Sequence, residues 1–114
     1  MEKINQYRQI LKDVLSEFTK SRSTNTQVTD VETQLLIDTE NDHYQVLRVG
    51  WRNRAQVFLV VFHFDIKNDK IWLQQNASDY DIVGDLEERG IPKSDIVLAF
   101  HSPQMRPFTG YAVA

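Results

Sequence analysis

The chain has 114 residues, 41% of them apolar and 25% charged, values of an ordinary folded domain rather than of a disordered tail or a long coiled coil. It contains no cysteine, which excludes a disulfide scaffold, a thiolate zinc site and a cysteine nucleophile. The net charge of −3 argues against tight, unaided DNA binding, which needs a local excess of Lys and Arg.

Ile4, Tyr7, Leu11, Val14 and Phe18 recur at three- and four-residue steps, with Ile10 and Leu15 widening the stripe. This predicts a helix over about residues 3–20 whose apolar face docks on a sheet or a second helix. The heptad pattern is too short to favour a coiled-coil dimer. Residues 20–30 are rich in Ser, Thr and Asn without apolar period, and read as a loop.

Four strands are expected next, at 32–39, 43–51, 55–66 and 70–75. Their links, Glu40-Asn41-Asp42, Arg52-Asn53-Arg54 and Lys67-Asn68-Asp69, are short and polar, so the strands should form an antiparallel meander of hairpins. The third strand is apolar in both registers, with Val57, Leu59 and Val61 against Phe58, Val60, Phe62 and Phe64. Such a strand is expected to be covered on both faces. Its run 57–62 is the longest strongly apolar one, far short of the ~20 residues that cross a bilayer. With no apolar core near Met1, a cytoplasmic location is expected.

Ser78 or Asp79 is expected to cap a second helix with Ile82, Val83 and Leu86 on its apolar face, ended by Gly90 and Pro92. A fifth strand should follow at 96–100, then an irregular tail, 101–114, with Pro103 and Pro107. The expected architecture is one α+β domain over 1–114: an antiparallel meander sheet of about five strands, an N-terminal helix, and a second helix before the last strand.

His63 and Asp65, two apart on a strand, share a face, and with Asp38 or Asp42 form a candidate metal-ligand set. The plainer reading is that Asp65 opens a turn and His63 packs at the sheet edge. Asp65-Ile66-Lys67 also fits the Asp/Glu-x-Lys element of restriction-like nucleases, which share a divalent metal with an upstream Asp. A tight hairpin at Asn53-Arg54 would set Asp42 opposite Asp65, so Asp42, Asp65 and Lys67 are the candidate site of a metal-dependent nuclease. Arg48, Arg52 and Arg54 are candidate contacts of a weak DNA-binding module. Trp51 and Trp72 are read as core or interface residues rather than base-stacking platforms. The four glycines are isolated, so no phosphate loop exists.

A resemblance runs along nearly the whole chain except the Ser/Thr-rich loop. Tyr7-Arg8-Gln9-Ile10-Leu11, Asp38 with Asp42-His43-Tyr44-Gln45, Gly50-Trp51, Asp65-Ile66-Lys67 and Lys70-Ile71-Trp72 resemble the XisI family in order and spacing. So do the stretch from Gly90-Ile91-Pro92-Lys93 to His101 and the ending Pro103, Arg106, Thr109 and Ala112-Val113. The third strand departs by being more aromatic. The resemblance implies an accessory factor controlling excision of the fdxN element, a DNA segment removed by a site-specific recombinase during heterocyst development in filamentous cyanobacteria. It also implies a companion, XisH, with a restriction-type nuclease fold, or a recombinase complex as partner. It carries over no catalytic residues and no cofactor, so a non-enzymatic, protein-binding role is expected. Met105, Arg106, Phe108 and Tyr111 are the candidate partner-binding residues, since the tail mixes adaptable apolar groups with one cation. The doubly apolar third strand and the apolar tail together predict a homodimer.

Overall fold

The computed structural model describes residues 2–22 and 30–114. The segment 23–29, most of the expected Ser/Thr-rich loop, lies outside the described residues. Helix α1 spans Glu2–Arg22 and buries Tyr7, Leu11, Val14, Leu15 and Phe18. These residues pack on the chain's own sheet and not on a coiled-coil partner. Glu2 in the first turn and Lys20 and Arg22 in the last suit the helix dipole.

Strands β1 (Asp30–Asp38), β2 (His43–Arg52), β3 (Ala55–Lys67) and β4 (Lys70–Asn76) follow one another in an antiparallel meander. Two of the hairpins turn on consecutive residues with positive φ: Asn53 (49°) with Arg54 (70°), and Asn68 (54°) with Asp69 (62°). That backbone matches the strand twist of two-residue hairpins. Gly50 has φ +151°, and a Cβ there would meet the Asp30 carbonyl oxygen at 1.9 Å, so β1 can close on β2 only because that side chain is missing.

The fifth strand corrects the all-antiparallel expectation. Helix α2 (Ile82–Glu88) carries the chain back along the sheet, and β5 (Ile96–Leu98) therefore enters beside β4 in parallel. The sheet is mixed, in the order β1-β2-β3-β4-β5. β5 stops at Leu98, short of the expected residue 100, because the Ala99 and Phe100 amides turn to the Leu73 carbonyl. The cap of α2 is Asp81 rather than Ser78 or Asp79; its carboxylate accepts from the Gly84 amide at 3.0 Å. A Cβ on Gly84 would meet that carboxylate at 2.3 Å, so the cap depends on the glycine. Gly90, at φ +106°, ends the helix region as its sequence position implies.

Within the chain, the two apolar registers of β3 reflect a change of phase along the strand and not cover on both faces. Val46 pairs with Phe62 and Leu47 with Val60, which leaves Val61 as an extra residue in a β-bulge. The bulge flips the phase of the alternation, so Val61, Phe62, Phe64 and Ile66 all join the core beneath the helices. Phe18 meets Phe62 edge to face at 5.0 Å between ring centroids. The first half of the strand runs beyond β4, whose last partner is Phe62, and there Phe58 is 68% exposed and Leu59 42%.

The tail turns through a short 3-10 helix, Arg106–Phe108, and rejoins the sheet where Ala112 bridges Val97 in parallel. The Ala112 amide donates to the Ile96 carbonyl at 2.9 Å. Trp72 is buried on the face opposite the helices, with the Lys67 ammonium 4.1 Å and the Arg106 guanidinium 5.6 Å from its ring centroid. No helix among the described residues is long and apolar enough to cross a membrane.

Candidate functional site

The hairpin at Asn53-Arg54, counted without interruption, would oppose Asp42 to Asp65. The Val61 bulge shifts the pairing by one, and His43 takes that place. His43 opens β2, while His63 and Asp65 stand two apart on β3, so all three project from the helix-free face. His43 Nδ1 lies 2.6 Å and His63 Nε2 2.8 Å from the same oxygen, Asp65 Oδ1. Gln45 Nε2 sits 2.8 Å from His63 Nδ1, and Gln74 Nε2 donates to Asp65 Oδ2 at 3.3 Å. Gln74 reaches the cluster at a second irregularity, where β4 holds one residue more than β3 between the pairs His63–Gln75 and Phe64–Leu73. Burial pushes the Asp65 carboxyl up, but the hydrogen bonds from the two imidazoles outweigh it and hold the group below the ordinary carboxylate range. Both imidazoles border an open groove with Leu36, Asp38 and Gln45.

The plainer reading of His63 and Asp65 as turn and edge residues gives way to this three-residue cluster, and the expected companions Asp38 and Asp42 are engaged elsewhere. Asp38 organises the β1–β2 turn: its carboxylate accepts from the Glu40 amide at 3.0 Å, the Asn41 amide at 3.1 Å and the Asn41 side chain at 3.0 Å. Asp42 lies on the helix side, gripped by Arg8 through Nε at 2.8 Å and a second nitrogen at 3.0 Å, and accepts from the Tyr44 hydroxyl at 3.0 Å. The Arg8 bond is the main cause of its lowered pKa. Lys67 covers Trp72. Of the trio Asp42, Asp65 and Lys67, Asp42 and Lys67 line one cleft with Arg8, whereas the Asp65 carboxylate is turned to His43 and His63.

Of the candidate DNA contacts, Arg48 and Arg52 share a cleft with Arg22, Phe18 and Asp79, whereas Arg54 sits apart in the β2–β3 turn. Of the tail residues, Arg106 donates to the carbonyls of His101 (3.1 Å) and Ala99 (3.3 Å). Tyr111 packs against the core, and its hydroxyl donates to Glu87 at 2.8 Å; burial, then that bond, pushes its pKa up to about 12. Met105 and Phe108 project, 53% and 82% exposed. The residues missed by sequence reasoning are His43, Gln45 and Gln74. Their signal was the alternation of His43 with Gln45 on β2, but only the bulged register joins it to β3.

The family model for XisI protein matches residues 1–113. The crystal structure of a XisI-like protein from Anabaena variabilis ATCC 29413 superposes with a TM-score of 0.86 at 41% identity, covering 95% of this chain and 96% of that one. The crystal structure of fdxN element excision controlling factor XisI from the same organism gives a TM-score of 0.82 at 32% identity, covering 98% and 99%. No curated protein matches the chain. A match over nearly the whole length, together with the same sheet and helices, places the chain in the XisI family.

Proposed function

We propose that the chain is a non-catalytic, cytoplasmic accessory factor in site-specific DNA excision, acting as a homodimer that binds a XisH-type partner or a recombinase complex. Family membership and a relative described as an excision controlling factor support the biological role. The observation that carries a binding mode of action is the set of large apolar side chains left uncovered: Trp51 at 56%, Phe58 at 68% and Phe108 at 82%. Aromatic groups of this size are characteristic anchors of protein interfaces.

The test is co-purification of the full chain with a XisH-type companion, repeated with Phe108→Ala and with Met105→Ala. Retained partner binding by both folded variants would remove the tail from the interface. Incubation with supercoiled plasmid and magnesium or manganese tests the non-catalytic part; metal-dependent cleavage lost in Asp65→Ala would defeat it. A second reading, weak DNA contact, is favoured by Arg22, Arg48 and Arg52 lining one cleft. It requires DNA affinity that falls steeply with salt and weakens in Arg48→Ala and Arg52→Ala.

A further inference from the structure

We propose that His43, His63 and Asp65 form a binding site for a borderline divalent ion of the Zn2+ class. Among the described residues these three bring one ligand atom each to within 4.8 Å of one another. Two imidazoles and one carboxylate are a ligand set for Zn2+, Co2+ or Ni2+ and a poor one for Mg2+ or Ca2+, which prefer oxygen. The ligands stand on two paired strands of the sheet, so their backbones are fixed before the ion arrives.

The present separations, 2.6 and 2.8 Å, are hydrogen bonds from each ring to one carboxylate oxygen. Bonds of ~2.1 Å to a tetrahedral ion set ligand atoms roughly 3.4 Å apart, so each ring nitrogen moves off the shared oxygen by under ~1 Å, while the two nitrogens, within 4.8 Å of each other, come to the same spacing. Side-chain rotation supplies that movement. Solvent water carries the proton exchange that binding requires. Water takes the proton from the near nitrogen of each ring and returns one to the far nitrogen, so the near lone pair faces the ion with no net proton released, and Asp65 supplies the negative charge.

The surrounding groups suit the change. Once His63 binds through Nε2, its Nδ1–H needs an acceptor, and the Gln45 amide is already 2.8 Å from that atom. A flip of that amide presents its oxygen. Gln74 holds the second oxygen of Asp65. Such outer partners fix ring orientation and ligand basicity. The His43 side chain is 54% exposed, so the fourth position opens to solvent and is filled by water in the isolated protein.

The experiment uses the full chain without a histidine tag, dialysed against Zn2+ and assayed for bound metal, with Co2+ as a visible-absorption probe of four-coordinate geometry. One ion per chain is expected. His63→Ala and Asp65→Asn should each abolish stoichiometric binding, and Gln45→Ala should weaken it by about 10–100-fold. His101→Ala, in the tail, should leave it unchanged. In the unmutated chain, ring resonances of His43 and His63 should move on titration while those of His101 stay. This second measurement stands even if a variant fails to fold. Absence of stoichiometric Zn2+, binding that survives both ligand substitutions, binding lost in His101→Ala, or a preference for Mg2+ would each overturn the assignment.

Discussion

At the scale of single residues, backbone conformation offers the clearest test. Arg54 sits at φ 70° in a two-residue hairpin, a conformation that costs a side-chain-bearing residue what glycine avoids. Arg54→Gly is therefore expected to raise stability by about 0.5 kcal/mol, the relief of strain exceeding the added chain entropy. Chemical denaturation at constant m-value checks it. Gly50→Ala should do the reverse, by well over about 1 kcal/mol, since its Cβ has no space against β1. Arg8 is a further point of control. Its two-pronged bond to Asp42 ties α1 to the β1–β2 turn across the sheet edge. Because the sequence distance is large, no local pattern announced the pair.

At the scale of elements, β3 is the organising strand. Phe62 and Phe64 are fully buried beneath α1 and α2, so Phe62→Ala is expected to cost about 3–5 kcal/mol, read by thermal or urea unfolding. Phe58→Ser, on the same strand but exposed, should change stability by less than about 0.5 kcal/mol. The bulge is itself testable. Deleting Val61 makes the alternation regular while leaving the flanking pairs, Leu47 with Val60 and Val46 with Phe62, in place. It removes one buried side chain and the local twist of the bulge but keeps Phe62, Phe64 and Ile66 in the core. We expect a cooperative transition at a lower melting temperature, and loss of the sharp transition would show that the twist of the bulge is itself required. The same deletion should leave His43 opposite Asp65, since that pairing already skips Val61.

At the scale of the whole molecule, the carboxylates set the response to acid. Asp42 is held below the ordinary carboxylate range chiefly by Arg8. At Asp85 and Asp95 burial raises the pKa, but Arg89 with Tyr80, and Tyr7 with Lys3, outweigh it and leave both depressed. Depressed folded-state values mean that the unfolded chain binds protons first. Their stabilisation is complete above the ordinary aspartate value of about 4 and is lost as pH falls through the lower folded-state values. The melting temperature should therefore drop below about pH 4, and Arg8→Ala should flatten part of that slope. The tail acts on the same scale. Truncation after Ser102 removes the Val97–Ala112 bridge, the Arg106 bonds and the Arg106 contact with Trp72. We expect a lower melting temperature, whether or not Phe108 also serves a partner. For the proposed homodimer, sedimentation at micromolar concentration should show two copies, weakened by Phe58→Ser; a monomer would count against it.

The elements were legible because each is set by local chemistry. The α1 stripe, the hairpin residues Asn53-Arg54 and Asn68-Asp69, and the Gly90–Pro92 stop act over a few neighbouring residues, and the resemblance to the XisI family ran through motifs read in order. His63 and Asp65 were legible as a pair for the same reason. Their meeting with His43 was not, because it depends on a one-residue slip at Val61 that alternation alone cannot locate in a strand apolar in both registers. The parallel entry of β5 was hidden likewise: a three-residue apolar strand pairs in either direction, and only the return of α2 across the sheet selects one. Sequence thus determined what each segment forms, through forces that act within a turn or a hairpin. Tertiary packing decided which faces meet, because burying Val61, Phe62 and Phe64 together under α1 and α2 fixes the bulge, and the bulge fixes the site.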